Sequence, residues 1–161
     1  GGIMKLSNNQ PPMITLAEIP NKMKYEFETA FNRFMKEHNI TKFKMNEHFP
    51  VNTISLIRGA IVAQKHEFFE SYLEIVLSGL WEQSLKLDTP EALHELLKKH
   101  NCHADLVIEE IAKDETKQEL IKNTSEAAEK GAFGIPTFFV GEEMFYGKDT
   151  LRELKEMASS S

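Results

Sequence analysis

The stretch Gly131-Ala132-Phe133-Gly134-Ile135-Pro136-Thr137-Phe138-Phe139-Val140-Gly141-Glu142-Glu143-Met144-Phe145-Tyr146-Gly147-Lys148-Asp149 constrains this chain more than any other. Gly131 follows a long polar helical run and suits a left-handed helix C-cap, where a residue without Cβ escapes the steric penalty. Pro136 has no amide hydrogen, so it belongs at the first residue of a strand or at an edge. Thr137, Phe138, Phe139 and Val140 are β-branched or aromatic, as a half-buried pleated surface requires. Gly141-Glu142-Glu143 then reads as a hairpin turn, and Met144, Phe145 and Tyr146 as the returning strand. Asp149 has the chemistry of an N-cap for a helix over Thr150–Met157, with Leu151 and Leu154 on its apolar face.

Upstream of the hairpin the pattern is helical. Residues 1–19 are rich in turn formers and show no regular period, so they are expected to form a loop. From Pro20, Met23, Phe27, Ala30, Phe31, Phe34 and Met35 recur at helical spacing and predict an amphipathic helix to His38-Asn39. An irregular link over Ile40–Pro50 is expected to tuck Phe43, Met45 and Phe49 inward. Val51–Ala63 is apolar on nearly every side, the signature of a helix buried all round. Phe69, Tyr72, Leu73, Val76, Leu77, Leu80 and Trp81 share a helical period and read as core rather than as a cofactor box. Asp88-Thr89-Pro90-Glu91 opens another helix, with a capping oxygen, a first-turn proline and an acid near the positive dipole end. Two more follow over 103–111 and 115–130. The chain is therefore α+β and mainly helical, with about five or six helices before the hairpin. Two strands do not make a stable sheet alone, so further strands are expected beside them.

Charge and composition narrow the function. Lys and Arg total 19 against 25 Asp and Glu, for a formal charge of -6, which argues against a nucleic-acid partner. No apolar run approaches the roughly 20 residues that span a bilayer. No charged-then-apolar leader opens the sequence, and a soluble, cytoplasmic protein with no membrane partner is expected. The single cysteine, Cys102, lies between His100 and His103. Structural zinc takes four ligands and no second cluster supplies them, so a polar link between helices and no metal are expected.

Three separated motifs carry a resemblance. They are Gly2-Ile3-Met4-Lys5 with Asn9 and Pro11-Pro12, then His48-Phe49-Pro50-Val51-Asn52-Thr53 with Arg58-Gly59-Ala60, and the hairpin stretch itself. In this order and at these distances the chain resembles 2-hydroxychromene-2-carboxylate isomerases and the related kappa-class glutathione transferases over essentially its whole length. The resemblance implies a thioredoxin-like domain of the DsbA superfamily interrupted by a helical insertion. Residues 1–19 would lead in from the N-terminal part of that domain, 20–130 would form the insertion, and 131–161 the C-terminal ββα part. It also implies a cis bond before Pro136. The family's opening strand, helix and strand, with the serine that stabilises a bound thiolate, are expected ahead of Gly1. No catalytic residue is then expected in this chain, for Ser7 and Ser55 fall in the wrong motifs.

The cofactor so implied is glutathione. Asn9 matches the family's asparagine before the double proline, and Lys22 a lysine near the glycyl end. Ile135 would pair its main chain with the cysteinyl unit beside Pro136. Lys148 and Asp149 would hold the γ-glutamyl end, where free N–H groups attract a carboxylate and an acid meets its ammonium. Phe49 and Asn52 are the expected substrate pocket. The family often carries Asp-Arg where this chain has Asp149-Thr150, so one arginine contact is lacking. The implied activity is a glutathione-dependent isomerase, adding thiolate reversibly to an unsaturated keto acid, with a small-molecule substrate and a homodimeric parent. Without the serine segment the chain is expected to be inactive. The alternatives are a kappa-class transferase, a thiol–disulfide oxidoreductase with its Cys-x-x-Cys pair upstream, and a non-catalytic helical binding module.

Overall fold

The computed structural model describes residues 2–159. In chain order its helices are α1 (Gly2–Leu6), α2 (Pro12–Thr15), α3 (Pro20–Lys24), α4 (Phe31–Glu37), α5 (Ile54–Lys65), α6 (Phe69–Trp81), α7 (Pro90–Lys99), α8 (Ala104–Ala112) and α9 (Asp114–Glu129). A π-helical turn over Tyr25–Ala30 joins α3 to α4. Strands β1 (Thr137–Val140) and β2 (Glu143–Tyr146), a 3-10 turn over Lys148–Thr150 and α10 (Leu151–Ser159) complete the order. The fold is mostly helical, with a small C-terminal sheet and a multi-helix insertion. Two compact units divide it: Glu26–Ile121, and the chain up to Tyr25 together with the chain from Lys122. These divisions fall inside the π-helical turn and inside α9. A helix keeps its period when its packing partner changes, so composition does not mark them.

The hydrophobic core lies in the Glu26–Ile121 unit. Its buried side chains come from α5 (Leu56, Val62, Ala63), α6 (Tyr72, Val76, Leu80), α7 (Leu93, Leu96, Leu97) and α8 (Val107, Ile111), with Leu87 and Cys102 from the connections. α7 shows why these residues make a helix. Thr89 Oγ1 accepts from Ala92 N at 3.2 Å, Pro90 takes the first position, and the three leucines then return on one face. The α5–α6 contact turns on Tyr72, which is fully buried and donates from Oη to Leu56 O at 2.8 Å. A Cβ on Gly59 would collide with the Tyr72 Oη. Burial, helped by the Cys102 thiol beside it, pushes the Tyr72 phenol well above its ordinary value.

The link between α4 and α5 is stitched to the end of α6. Asn46, almost fully buried, donates from Nδ2 to Leu80 O and Leu85 O, each at 2.9 Å, and accepts from His48 N on Oδ1 at 2.8 Å. Lys44 N donates to Trp81 O at 2.6 Å. The Phe43 ring stacks on Trp81 with centroids 5.6 Å apart.

Several expectations are corrected here. Residues 1–19 are not all loop: α1 and α2 are single turns closed by local bonds such as Leu16 N to Pro12 O at 2.8 Å, too short to leave a period. Met45 and Phe49 are exposed, because backbone bonds and Asn46, rather than these side chains, anchor the link. α5 is not buried all round, since Ile54 and Ile57 face solvent, and on α6 Phe69 and Leu77 do the same. Nor does Asp149 cap a helix: it lies inside the 3-10 turn, which starts after Gly147. Arg58 Nε is buried without a hydrogen-bond partner among the described residues, and nothing in the packing explains it.

In the other unit the buried residues are small, Ala132 and Gly134, while Ile14, Ile19, Phe139, Val140 and Met144 are exposed. β1 and β2 pair antiparallel in the register Thr137 with Tyr146 through Val140 with Glu143. Gly131 has φ 98°, the left-handed cap expected of it.

Replacing Gly59 with Ala forces the Tyr72 ring away and breaks its bond to Leu56. The unfolding free energy is expected to fall by about 2–4 kcal/mol, read as a lower urea midpoint. The folded chain also holds the Tyr72 proton more tightly than the unfolded chain, whose value is 10.0, so stability declines as the pH rises past that point. A phenolate absorbance titration is expected to show Tyr72 ionising only on unfolding.

Candidate functional site

Asn8 ends α1 in the left-handed conformation, with φ 54°, which an asparagine tolerates better than most residues. That turn aims Asn9 at the segment before β1. Asn9 Nδ2 donates to Phe133 O at 2.8 Å, its Oδ1 accepts from Gln10 N at 2.8 Å, and its own N–H is held by Met4 O at 2.8 Å. Ser7 Oγ donates to Ile3 O at 2.9 Å and sits 3.3 Å from the same Phe133 oxygen. The carbonyl of Phe133 is thus the point where the N-terminal segment meets the approach to the hairpin.

Beyond it the backbone is held from the other side. A Cβ on Gly134 would come 3.0 Å from the Tyr146 ring, and the Phe133 and Tyr146 rings lie 4.5 Å apart. Thr137 Oγ1 donates back to Gly134 O at 2.7 Å. Between these anchors the Ile135–Pro136 peptide is cis, and the Ile135 side chain is 76% exposed. Neither the N–H nor the C=O of Ile135 bonds to any described residue. Pro136 O accepts from Gly147 N at 2.9 Å, a bond that brings the start of the 3-10 turn next to the proline. Gly147 has φ 92°, a value that suits a residue without Cβ.

The expected site residues therefore separate into groups. Asn9 is bonded two residues from Ile135, and Lys148 follows Gly147, the partner of Pro136. Lys148 Nζ donates to Asp149 Oδ1 at 2.6 Å, so the two side chains meet each other. Thr150 Oγ1 donates to Gly147 O at 2.8 Å and closes the turn. Lys22 is exposed on α3. Phe49 and Asn52 belong to the Glu26–Ile121 unit, where Phe49 precedes Pro50 through a second cis peptide bond. Asn52 Oδ1 accepts from Ile54 N at 3.2 Å, a local turn just ahead of α5, whose N-cap position is held by Thr53. Ser7, Phe133 and Tyr146 were not singled out from the sequence. The nearest signal was Gly134, whose missing Cβ leaves room for an aromatic ring.

Chemically, this arrangement presents an unpaired main-chain donor and acceptor at Ile135, the elements an extended peptide-like ligand pairs with. One turn away, a lysine–carboxylate pair at a helix start has the charges to meet a zwitterionic end group. Among the described residues no group of three His, Cys, Asp or Glu side chains is placed to hold a metal ion. No described helix is long and apolar enough to cross a membrane.

A family model described as a DSBA-like thioredoxin domain matches residues 1–158. The chain belongs to that family. Its relatives by sequence include glutathione S-transferase kappa 1 of Rattus norvegicus, 25% identical over 165 aligned positions that cover 95% of this chain and 71% of that protein. They also include 2-hydroxychromene-2-carboxylate isomerase of Pseudomonas sp. (strain C18), 26% identical over 81 positions, 50% of this chain and 38% of that protein. A solved structure of 2-hydroxychromene-2-carboxylate isomerase superposes with a TM-score of 0.77 at 18% identity, covering 99% of this chain and 75% of that one. That likeness is one of fold. In this DSBA-like thioredoxin domain the hairpin, its two cis-proline anchors at Phe133 and Gly147, and α10 form the C-terminal part of the matched region.

Asn9→Ala removes the Nδ2 donor at the Phe133 carbonyl and leaves Ser7 Oγ, 3.3 Å away, to turn its one proton from Ile3 O toward it. A loss of about 0.5–1 kcal/mol is expected, with shifts of the Phe133 carbonyl carbon and the Gly134 amide in NMR spectra.

Proposed function

We propose that this chain binds glutathione along the segment Phe133–Pro136 and at the turn Lys148–Asp149, as part of a glutathione-dependent isomerase acting on a 2-hydroxychromene-2-carboxylate-type substrate. The observation that carries the reading is the free main-chain pair at Ile135, held between two anchors that leave its side chain in solvent. Glutathione is a peptide, and its cysteinyl unit has the matching N–H and C=O. The fold shared with a 2-hydroxychromene-2-carboxylate isomerase and the relationship to kappa-class transferases support the choice of ligand.

In this reading Ile135 pairs with the cysteinyl main chain and Pro136 fixes its direction. Asn9 holds the segment in place, and Lys22 takes the glycyl carboxylate. Lys148 and Asp149 exchange part of their mutual contact for the carboxylate and ammonium of the γ-glutamyl end. Phe49 and Asn52 contribute to recognition of the second substrate. Glutathione supplies a thiol that adds to an unsaturated keto acid and leaves again. No side chain of this chain is assigned the activation of that thiol. The parent enzyme acts on a small molecule in the cytoplasm, as a homodimer.

The family match keeps a second reading, thiol–disulfide exchange. The chain offers one cysteine, Cys102, which is buried and whose thiol burial pushes up, the reverse of what a reactive thiolate needs. The two transferring branches separate on thiol balance, because conjugation consumes glutathione and isomerisation returns it.

Calorimetric titration with reduced glutathione, followed by amide NMR, tests the site. Saturable heat is expected, with shifts centred on Phe133–Ile135, Gly147–Thr150 and Lys22, and about fivefold weaker binding for Asp149→Ala. No heat and unmoved Ile135 and Asp149 resonances would leave a non-catalytic helical module as the better account.

A further inference from the structure

We propose that the Glu26–Ile121 unit carries a second, independent ligand site, for an organic cation with an apolar body. It is an open cavity of about 920 Å³ between the segment 39–43 and one face of α6. That volume lies within the roughly 300–1,000 Å³ of small-molecule pockets. Its wall is aromatic: Trp81 and Phe43 are stacked at 5.6 Å and 23°, and Phe31 braces Phe43 edge-on at 5.1 Å. Ile75 and the exposed Leu77 extend the apolar surface.

The charge of the cavity selects the ligand. Glu74 and Ser78 on α6 and Glu82 just past its C-terminus line it along one stripe, which places the two acids about 12 Å apart along the axis. Ser78 Oγ donates to Glu82 Oε2 at 2.9 Å and accepts from Gln83 Nε2 at 3.2 Å, so the Glu82 carboxylate is held in position. Lys42 and His100 are the basic residues of the lining. The Glu74 and Glu82 carboxylates face the single lysine ammonium of Lys42, and an aromatic face adds its own attraction for a cation. A flat or aliphatic cation satisfies both surfaces at once, whereas an anion meets the carboxylates and the negative face of the rings. The residues involved share none with the proposed glutathione site, so each site is testable alone.

Trp81 is the one tryptophan of the chain, so its fluorescence reports on this cavity. Titration of the chain with benzyltrimethylammonium is expected to change Trp81 emission saturably, with benzenesulfonate at least about fivefold weaker. Glu74→Gln and Glu82→Gln are each expected to weaken the cation by about threefold, and Lys42→Ala to strengthen it. Glu74 is exposed and its side chain makes no hydrogen bond or ion pair with any described residue, so that variant keeps the test standing if Glu82→Gln disturbs the helix end. Absence of a saturable response, equal binding of the anion, or affinity unchanged in both glutamate variants would overturn the proposal.

Discussion

A phenol that must find a partner away from water organises the helical unit. Tyr72 is fully buried, and a buried hydroxyl without a hydrogen bond costs more than the bond itself contributes. Its partner is Leu56 O, a carbonyl within α5 that still has a spare lone pair. The hydroxyl reaches that oxygen only across Gly59, where any Cβ would collide with it. One glycine therefore sets how closely α5 and α6 approach, and with it the register that brings Leu56, Val62, Val76 and Leu80 into one core. The consequence runs to the far end of α6. Carbonyls in a helix's last turn have no partner within the helix, and here Asn46 and Lys44 from the α4–α5 link supply donors to Leu80 and Trp81. The aromatic wall of Phe43 and Trp81 follows from that capping, because the same bonds draw the link across the end of α6.

The unit that carries the proposed glutathione site is built the other way round. Its buried residues are Ala132 and Gly134, and several of its large apolar side chains stay in solvent. What defines its shape is a short chain of polar contacts: Asn9 and Ser7 on Phe133, Thr137 on Gly134, Gly147 on Pro136, and Thr150 on Gly147. Each contributes about 1 kcal/mol at best. Such a structure is specified by where backbone groups point rather than by the mass of its core, and it leaves the main chain of Ile135 free between two fixed points.

That contrast explains what could be read in the sequence. Leu93, Leu96 and Leu97 bury one face of α7, and Thr89-Pro90 starts it, because periodic burial and capping are both local. The hairpin was legible for the same reason: Pro136, Gly141 and Gly147 each limit the backbone directly, and β1 and β2 fall where those residues put them. Met45 and Phe49 were not legible, since apolar character alone does not reveal that a neighbouring asparagine, rather than the aromatic side chain, anchors the link. Asp149 looked like a cap by its chemistry, yet Gly147, with a backbone angle that suits glycine, sets the start of the turn two residues earlier. Of the candidate site, Asn9 and the segment around Pro136 could be named from motifs. Ser7 and Tyr146 could not, because their roles depend on a contact across more than a hundred residues of chain or on the space a glycine leaves.

A recognition surface made of main-chain atoms, as proposed here for Ile135, would tolerate wide sequence divergence. The fold is shared at a TM-score of 0.77 while identity is 18%. A carbonyl and an amide present the same hydrogen-bonding geometry whatever side chain sits between them, so position 135 is free to vary as long as the backbone around it is held. The constraint passes instead to the residues that fix that backbone: an amide or hydroxyl to bind the Phe133 carbonyl, a glycine at 134 under the Tyr146 ring, a proline at 136, and a glycine at 147. The choice among isomerisation, conjugation and disulfide exchange is not made by any of these. In the proposed reading it rests on the group that meets the sulfur, so binding of the peptide and activation of its thiol would be separable.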